Sequence, residues 1–362
     1  MKRFILTLTI LFSFVALASA KQLKYVDATQ LNIIGKVLPT PKPFTRVDTE
    51  KYPFDDKTIQ RYAEFSTGLM VVFSTDSRTI AAKWKTSPVN AGYNMNSILY
   101  KGLDLYIKKD GKWIFAGVGK PSMGKAPYDE HEGTIVENMP EGTKECLLYL
   151  PVFDRIDALE IGIDENAAIA PMDNPFRYKI VFKGSSVTHG TAASRPGMTY
   201  PARFGRDNNF YVCNLGFSGK SKLQKEYARI IADTQADAFV FDAFSNPLAD
   251  EINERFDDFV DIIRAAHPHT PLIFLQTERR ETRNFNMVIE EREAAKQKAA
   301  EEQITERMKT DRHIYFITSE DFLGHDHIAT ADGSHPTDLG FTYMLESISP
   351  KILKILKKYG IR

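Results

Sequence analysis

The hydrophobic pattern of this chain changes period once, near residue 170, and that change leaves few folds open. From about Gly68 to Asp164 the apolar runs are short, rich in Val, Ile and aromatic residues, and separated by turn signals. Leu69 to Phe73, Thr79 to Lys85, Leu103 to Lys108, Lys112 to Gly117, Glu145 to Leu150 and Ala158 to Ile163 read as strands. Asp110-Gly111 reads as a tight hairpin turn between two of them. The spacing predicts an all-β, jelly-roll-like sandwich over residues 21–170. Glu165 to Arg177, with two Pro and Asp-Asn, reads as a linker.

Past the linker, over residues 176–362, buried-type strands alternate with amphipathic segments. The strands are Tyr178 to Phe182, Phe210 to Leu215, Ala238 to Ala243, Leu272 to Gln276 and His313 to Thr318. Helical periods run over Leu223 to Ala232, Glu251 to Ala266, Met287 to Met308 and Asp338 to Lys358, with Ile252, Phe256, Phe259, Ile262 and Ile263 on one face of the second. Such alternation implies an α/β fold with a parallel sheet covered on both faces. Ligands of these sheets bind beyond the carboxyl ends of the strands.

Composition narrows the setting. Met1-Lys2-Arg3, the apolar run Phe4 to Leu17 and Ala18-Ser19-Ala20 read as a secretory leader cut after Ala20, which places the mature chain in the periplasm or outside the cell. The run is short for a membrane span, and no second apolar stretch approaches about 20 residues. Lys and Arg number 47 against 47 Asp and Glu; the leader holds two of the basic residues and none of the acidic ones, so the mature chain carries −2. That balance argues against nucleic acid or anionic membrane as the main partner. Cys146 and Cys213 fall in different halves, so no disulfide framework is implied. Oligomeric state has no signature in the sequence.

Four short segments follow the strands of the second half: Gly184-Ser185-Ser186, Gly216-Phe217-Ser218-Gly219, Phe244-Ser245-Asn246-Pro247, and Asp332-x-x-His335. Their chemistry is complementary. A serine hydroxyl becomes nucleophilic when an imidazole takes its proton, and the imidazole needs a carboxylate to fix its tautomer and steady its charge. Ser186, His335 and Asp332 supply these. The negative oxygen of a tetrahedral intermediate needs donors, and the Ser186 amide, Gly219 and the Asn246 side chain are of the right kind.

The order Ser, Gly, Asn, Asp-x-x-His resembles the SGNH (GDSL-type) hydrolase superfamily over residues 176 to 362. The resemblance implies a flavodoxin-like α/β/α sandwich, Ser186 as nucleophile, Gly219 and Asn246 as oxyanion donors, and Asp332 and His335 as the remaining pair. Two departures stand out. Ser185 takes the place of the family's usual Asp before the nucleophile, and no Gly precedes Asn246. Both are familiar from a subgroup with a β-sandwich in front and a Gly-x-Asp-Leu-Tyr signature, matched here by Gly102-Leu103-Asp104-Leu105-Tyr106. The layout also resembles two-domain carbohydrate esterases that remove acetyl groups from polysaccharides.

Rival assignments are weaker. The Gly-Lys-Ser at 219–221 lacks the upstream Gly of a phosphate-binding loop, since Asn214 stands there. His325-x-His327 could ligate zinc with Asp332 and His335, but a polar loop is the more economical reading, so no metal or cofactor is expected. Glu290 to Arg307 reads as a solvated helix face. His189 is a candidate to line the substrate pocket or to cap a helix; Arg279 and Arg280 could meet substrate or form structural ion pairs. The expected partner is a small-molecule or polysaccharide ester, and the expected activity is hydrolysis of short acyl, chiefly acetyl, esters on carbohydrate. Alternatives are a lipid or phospholipid acyl hydrolase and a carbohydrate-binding protein with an idle site.

Overall fold

The computed structural model describes residues 22–89, 92–122, 124 and 127–362. The leader read over residues 1–20 lies outside them. Ten strands make the first half: β1 (Leu23–Asp27), β2 (Asn32–Ile34), β3 (Met70–Thr75), β4 (Ile80–Thr86), β5 (Leu103–Lys109), β6 (Lys112–Gly119), β7 (Glu130–Val136), β8 (Lys144–Tyr149), β9 (Ile156–Asp164) and β10 (Ile169–Pro171). They form two antiparallel sheets, one ordered β1-β9-β4-β7 and the other β10-β3-β8-β5-β6 with β2 paired to β3. Val71, Phe73, Ile80, Trp84, Leu148 and Ile161 fill the space between the sheets, as alternation of inward apolar side chains requires.

Two differences from the sequence reading have plain causes. The stretch read as a linker contains β10, which pairs antiparallel with β3; its Pro171 is tolerated because β10 is an edge strand. β7 escaped notice because Glu130, Glu132 and Thr134 are exposed, and the inward set of His131, Gly133 and Ile135 carries little apolar signal.

The second half carries β11 (Arg177–Gly184), β12 (Phe210–Gly216), β13 (Ala238–Asp242), β14 (Leu272–Leu275) and β15 (Ile314–Ile317) in a wholly parallel sheet ordered β12-β11-β13-β14-β15. Chain direction around the sheet reverses at β11, the topological switch point at which such folds place ligands. The helices are α1 (Lys57–Ala63), α2 (Ser97–Lys101), α3 (Ser186–His189), α4 (Tyr200–Asn208), α5 (Lys225–Asp233), α6 (Ala249–Ala266), α7 (Met287–Met308) and α8 (Asp338–Lys357). α4 and α8 cover one face through Phe204, Phe341, Ile348 and Ile352; α5, α6 and α7 cover the other through Ile231, Phe256, Ile263 and Ile304. This is a mixed α/β architecture of antiparallel sandwich followed by a three-layer parallel sheet.

The halves share cores. Val37, Val47, Ile59 and Ala63, from the segment between β2 and β3, pack with Leu215, Phe217 and Tyr227 of the second half. Buried Arg46 donates from Nη1 to the Asn214 carbonyl at 3.1 Å and lies 4.5 Å from the Phe217 ring. The Gly-x-Asp-Leu-Tyr signature clasps the opposite side. From β5, Asp104 accepts from the Gly197 amide at 2.8 Å and from Arg195 at 3.2 Å, while the Tyr106 hydroxyl accepts from Arg195. Burial pushes the Asp104 carboxyl up to about 6, against the pull of Arg195 and the Gly197 amide.

Candidate active site

β11 ends at Gly184 and turns at once into the short helix α3, so Ser186 occupies its first position, beyond the carboxyl edge of the sheet. A Cβ on Gly184 would sit 2.1 Å from Thr188 Oγ1, which accounts for glycine there. Ser185 caps the helix, its Oγ accepting from the Val187 amide at 3.1 Å and donating to Asp242 at 2.5 Å. Asp242, buried at the end of β13, also accepts from the Ser185 amide, Thr188 Oγ1 and Ser245 Oγ. One carboxylate therefore ties the Ser186 turn to the Asn246 loop.

Ser186 Oγ lies 2.9 Å from His335 Nε2, and His335 Nδ1 lies 2.8 Å from Asp332 Oδ2. Because Asp332 can only accept, Nδ1 carries the proton and Nε2 is free to receive the serine hydroxyl. The three-residue spacing is what a tight turn needs: Asp332 Oδ1 accepts from the amides of Ser334 and His335, so the loop holds its own carboxylate. Burial acts to raise the Asp332 pKa, but hydrogen bonds from Asn94 and His335 outweigh it and hold the carboxyl at about 2.

Three donors on the segments that follow β11, β12 and β13 are unengaged among the described residues: the Ser186 amide, the Gly219 amide and Asn246 Nδ2. Asn246 Oδ1 accepts from the Ser221 amide at 3.1 Å, which fixes the side chain. The carbonyl of Ser245 accepts from Arg280 at 3.0 Å and from Lys296 at 2.9 Å. A Cβ on Gly219 would meet no atom within 4 Å; its positive φ of +69°, not crowding, is the reason for glycine. A hydroxyl activated by an imidazole–carboxylate pair, beside free donors, suits attack on an acyl carbon and stabilisation of the resulting oxyanion.

The other candidates lie elsewhere. His189 is fully buried, with Nε2 3.1 Å from both Thr67 Oγ1 and the Val152 carbonyl, and Nδ1 accepting from the Ser218 amide at 3.2 Å. Stacked on Phe153 at 3.9 Å, it braces the Gly219 loop from inside and presents no surface to a pocket. Burial, with Arg46 nearby, pushes its pKa well below the ordinary value. Arg280 is held by Glu278 and Glu293, each at 3.5 Å, and burial lifts Glu278 to about 7 despite Arg280. Arg279 is exposed and 3.7 Å from Glu290. His325 pairs with Asp321 and His327 with Glu281, so the two rings serve separate contacts.

Three contributors escaped sequence reasoning. Glu293 and Lys296 of α7 are buried at 2% and 4% exposure in a run that reads as solvated; Lys296 donates to the Ser245 carbonyl and is itself held by Glu293. Asn94, from the first half, donates to Asp332 Oδ2 at 2.9 Å across 238 residues of chain.

With this geometry in place, the relatives are informative. Residues 177–353 match the GDSL-like lipase/acylhydrolase family, and residues 23–169 match the GxDLY family, the N-terminal part of SGNH hydrolase-type esterases. A crystal structure assigned as a GDSL-like lipase from Bacteroides ovatus is 45% identical, with a TM-score of 0.89, covering 93% of this chain and 98% of its own. The chain belongs to the GDSL-like lipase/acylhydrolase family. This GDSL-type protein is accordingly a carboxylic ester hydrolase. Its fold is shared more distantly with a salicylyl-acyltransferase from a tetracycline biosynthetic pathway, at 20% identity and TM-score 0.75 over 95% of this chain and 100% of the other. A family two carbohydrate esterase from Clostridium thermocellum, solved with cellohexaose, aligns at 12% identity and TM-score 0.57 over 80% and 93%. No curated protein matches. No helix of the GDSL-type chain, among the described residues, is long and apolar enough to cross a membrane.

Proposed function

We propose that the protein is an exported serine esterase that removes short acyl groups, chiefly acetyl, from carbohydrate. The observation that carries the reading is the unbroken chain from Ser186 Oγ through His335 to Asp332, beside three free donors. Ser186 Oγ attacks the acyl carbon as its proton passes to His335 Nε2. The carbonyl oxygen gains the negative charge and is met by the amides of Ser186 and Gly219 and by Asn246 Nδ2. Collapse of this intermediate breaks the bond to the sugar oxygen, which leaves with the proton from His335. Water, deprotonated by His335, then attacks the acyl-serine and releases the carboxylic acid.

The carbohydrate part of the proposal is supported by the layout shared with family two carbohydrate esterases, one of which holds cellohexaose. Acetate release from a panel of acetylated polysaccharides tests it; an enzyme that cleaves aryl acetates but none of the polysaccharides refutes the carbohydrate assignment and leaves the esterase. Export rests on the residue 1–20 pattern, and the protein recovered from the periplasm or medium should begin at Lys21.

A second reading, hydrolysis of lipid acyl esters, is favoured by one observation. Phe285, Val288 and Ile328 are 100%, 77% and 61% exposed; Phe285 and Ile328 lie on loops joined where the Thr282 amide donates to the Gly333 carbonyl, next to Asp332, and Val288 follows in the first turn of α7. Higher kcat/KM on octanoyl than on acetyl esters would put this reading first.

A further inference from the structure

We propose that Asn94, on the loop between β4 and α2 of the sandwich half, is a positioning residue for the ester-cleaving centre that orients the Asp332 carboxylate against His335. The inference rests on the reading of His335 as the base. Asp332 Oδ1 is occupied by two amides of its own loop, and Oδ2 receives His335 Nδ1 at 2.8 Å. Asn94 Nδ2 fills the remaining acceptor direction of Oδ2 at 2.9 Å, and it sits 3.4 Å from His335 Nδ1. Both atoms at that 3.4 Å contact are donors in the working tautomer, so the amide serves the carboxylate and not the ring.

A carboxylate gripped at Oδ1 alone can still rotate its plane; a second grip on Oδ2 stops that rotation. The donor also shares the negative charge that faces the imidazolium. Asn94 is itself anchored. Two residues on, Asn96 caps α2 through the amides of Ile98 and Leu99 and donates to the Ser194 carbonyl at 3.0 Å; Ser194 in turn bonds Asp338 at the start of α8. The charged groups on the neighbouring segments are paired away from the ring: Glu281 with His327 at 2.9 Å, and Asp338 with Ser194.

The test uses the intact chain with Asn94→Ala and Asn94→Asp. For each, kcat and KM on an aryl acetate, the pH dependence of kcat/KM, the rate of fluorophosphonate labelling and the thermal midpoint are measured. Asn94→Ala is expected to lower kcat roughly 10- to 100-fold with KM within about twofold. Its acidic limb should move up by about half a pH unit, because the unshared carboxylate favours the imidazolium. Asn94→Asp should move the limb further in the same direction by adding a negative charge. A limb that stays in place while kcat falls only with the fraction of protein that labels means a structural role and overturns the inference. Unchanged kcat overturns it as well. His335→Ala separates the two layers: if that variant is inactive while the Asn94 variants keep the wild-type limb, the base stands and the positioning role falls; if it stays active, both fall.

Discussion

The turn that carries the proposed nucleophile and the loop that carries the proposed base meet at one edge of the sheet, yet they are built in opposite ways. The turn around Ser186 is a buried polar web inside the parallel-sheet half, organised by Asp242, which accepts from Ser185, Thr188 and Ser245. The loop around His335 is partly open to solvent, its His and Asp side chains 21% and 19% exposed, and it is braced from three directions: its own amides, Thr282, and Asn94 of the sandwich half. The contrast teaches that the proposed nucleophile is placed by fold and the proposed base by assembly of separate segments. Damage to the first should cost stability as well as rate, and damage to the second mainly rate.

The largest effect should come from Ser186→Ala, which removes the group proposed to form the acyl-enzyme. Turnover of an aryl acetate is expected to fall by about 10⁴-fold or more with the thermal midpoint nearly unchanged. Asn246→Ala, losing one donor but no support for the serine, should lower kcat by about 10²- to 10³-fold and leave KM close to the parent value. Asp242→Ala is the sharpest probe of the comparison: four donor bonds lose their acceptor, and denaturant unfolding should show a loss of about 2–4 kcal/mol beside the lost rate. A variant of normal stability would mean that the turn does not depend on this carboxylate.

Acid titration distinguishes the two regions in another way. The Asp332 carboxyl is held at about 2, below the ordinary 3.8, so its bonds contribute stability that is complete above pH ~4 and is lost as pH falls through ~2. Asp332→Asn should show a flatter stability profile across that window, read by thermal midpoints at a series of pH values. The smallest effect belongs to Arg279→Ala. Its exposed contact with Glu290 should leave the thermal midpoint nearly unchanged, and kcat/KM should change less than about twofold unless Arg279 meets substrate.

How much of this was legible depended on whether the deciding interaction was local. Asp332 and His335 sit three residues apart, so the turn that joins them is written in one short string, and the Gly184-Ser185-Ser186 turn follows directly from a strand of unmistakable apolar pattern. Asn94 carries no such mark; its partner is 238 residues away, and a single Asn in a loop looks like any other. Glu293 and Lys296 read as solvent-facing because helical charge patterning cannot show that Arg280 and the Ser245 carbonyl wait on the other side. β7 was hidden by polar residues on both of its faces, and β2 by its length of three residues. His189 could have been a pocket residue or a brace, and only the packing of Phe153, Thr67 and Val152 around it decides between them.

The segment between β2 and β3 bears on how the molecule comes into being. The Gly35 amide waits for the Tyr211 hydroxyl, 176 residues further along, and Arg46 waits for the Asn214 carbonyl, 168 residues further. Until those residues are synthesised, Val37 and Val47 lack the Leu215, Phe217 and Tyr227 side chains they pack with, and β1 has no partner before β9 emerges. So much non-local pairing delays compaction until most of the chain is available. Completion of the first half's packing therefore waits on residues of the second half.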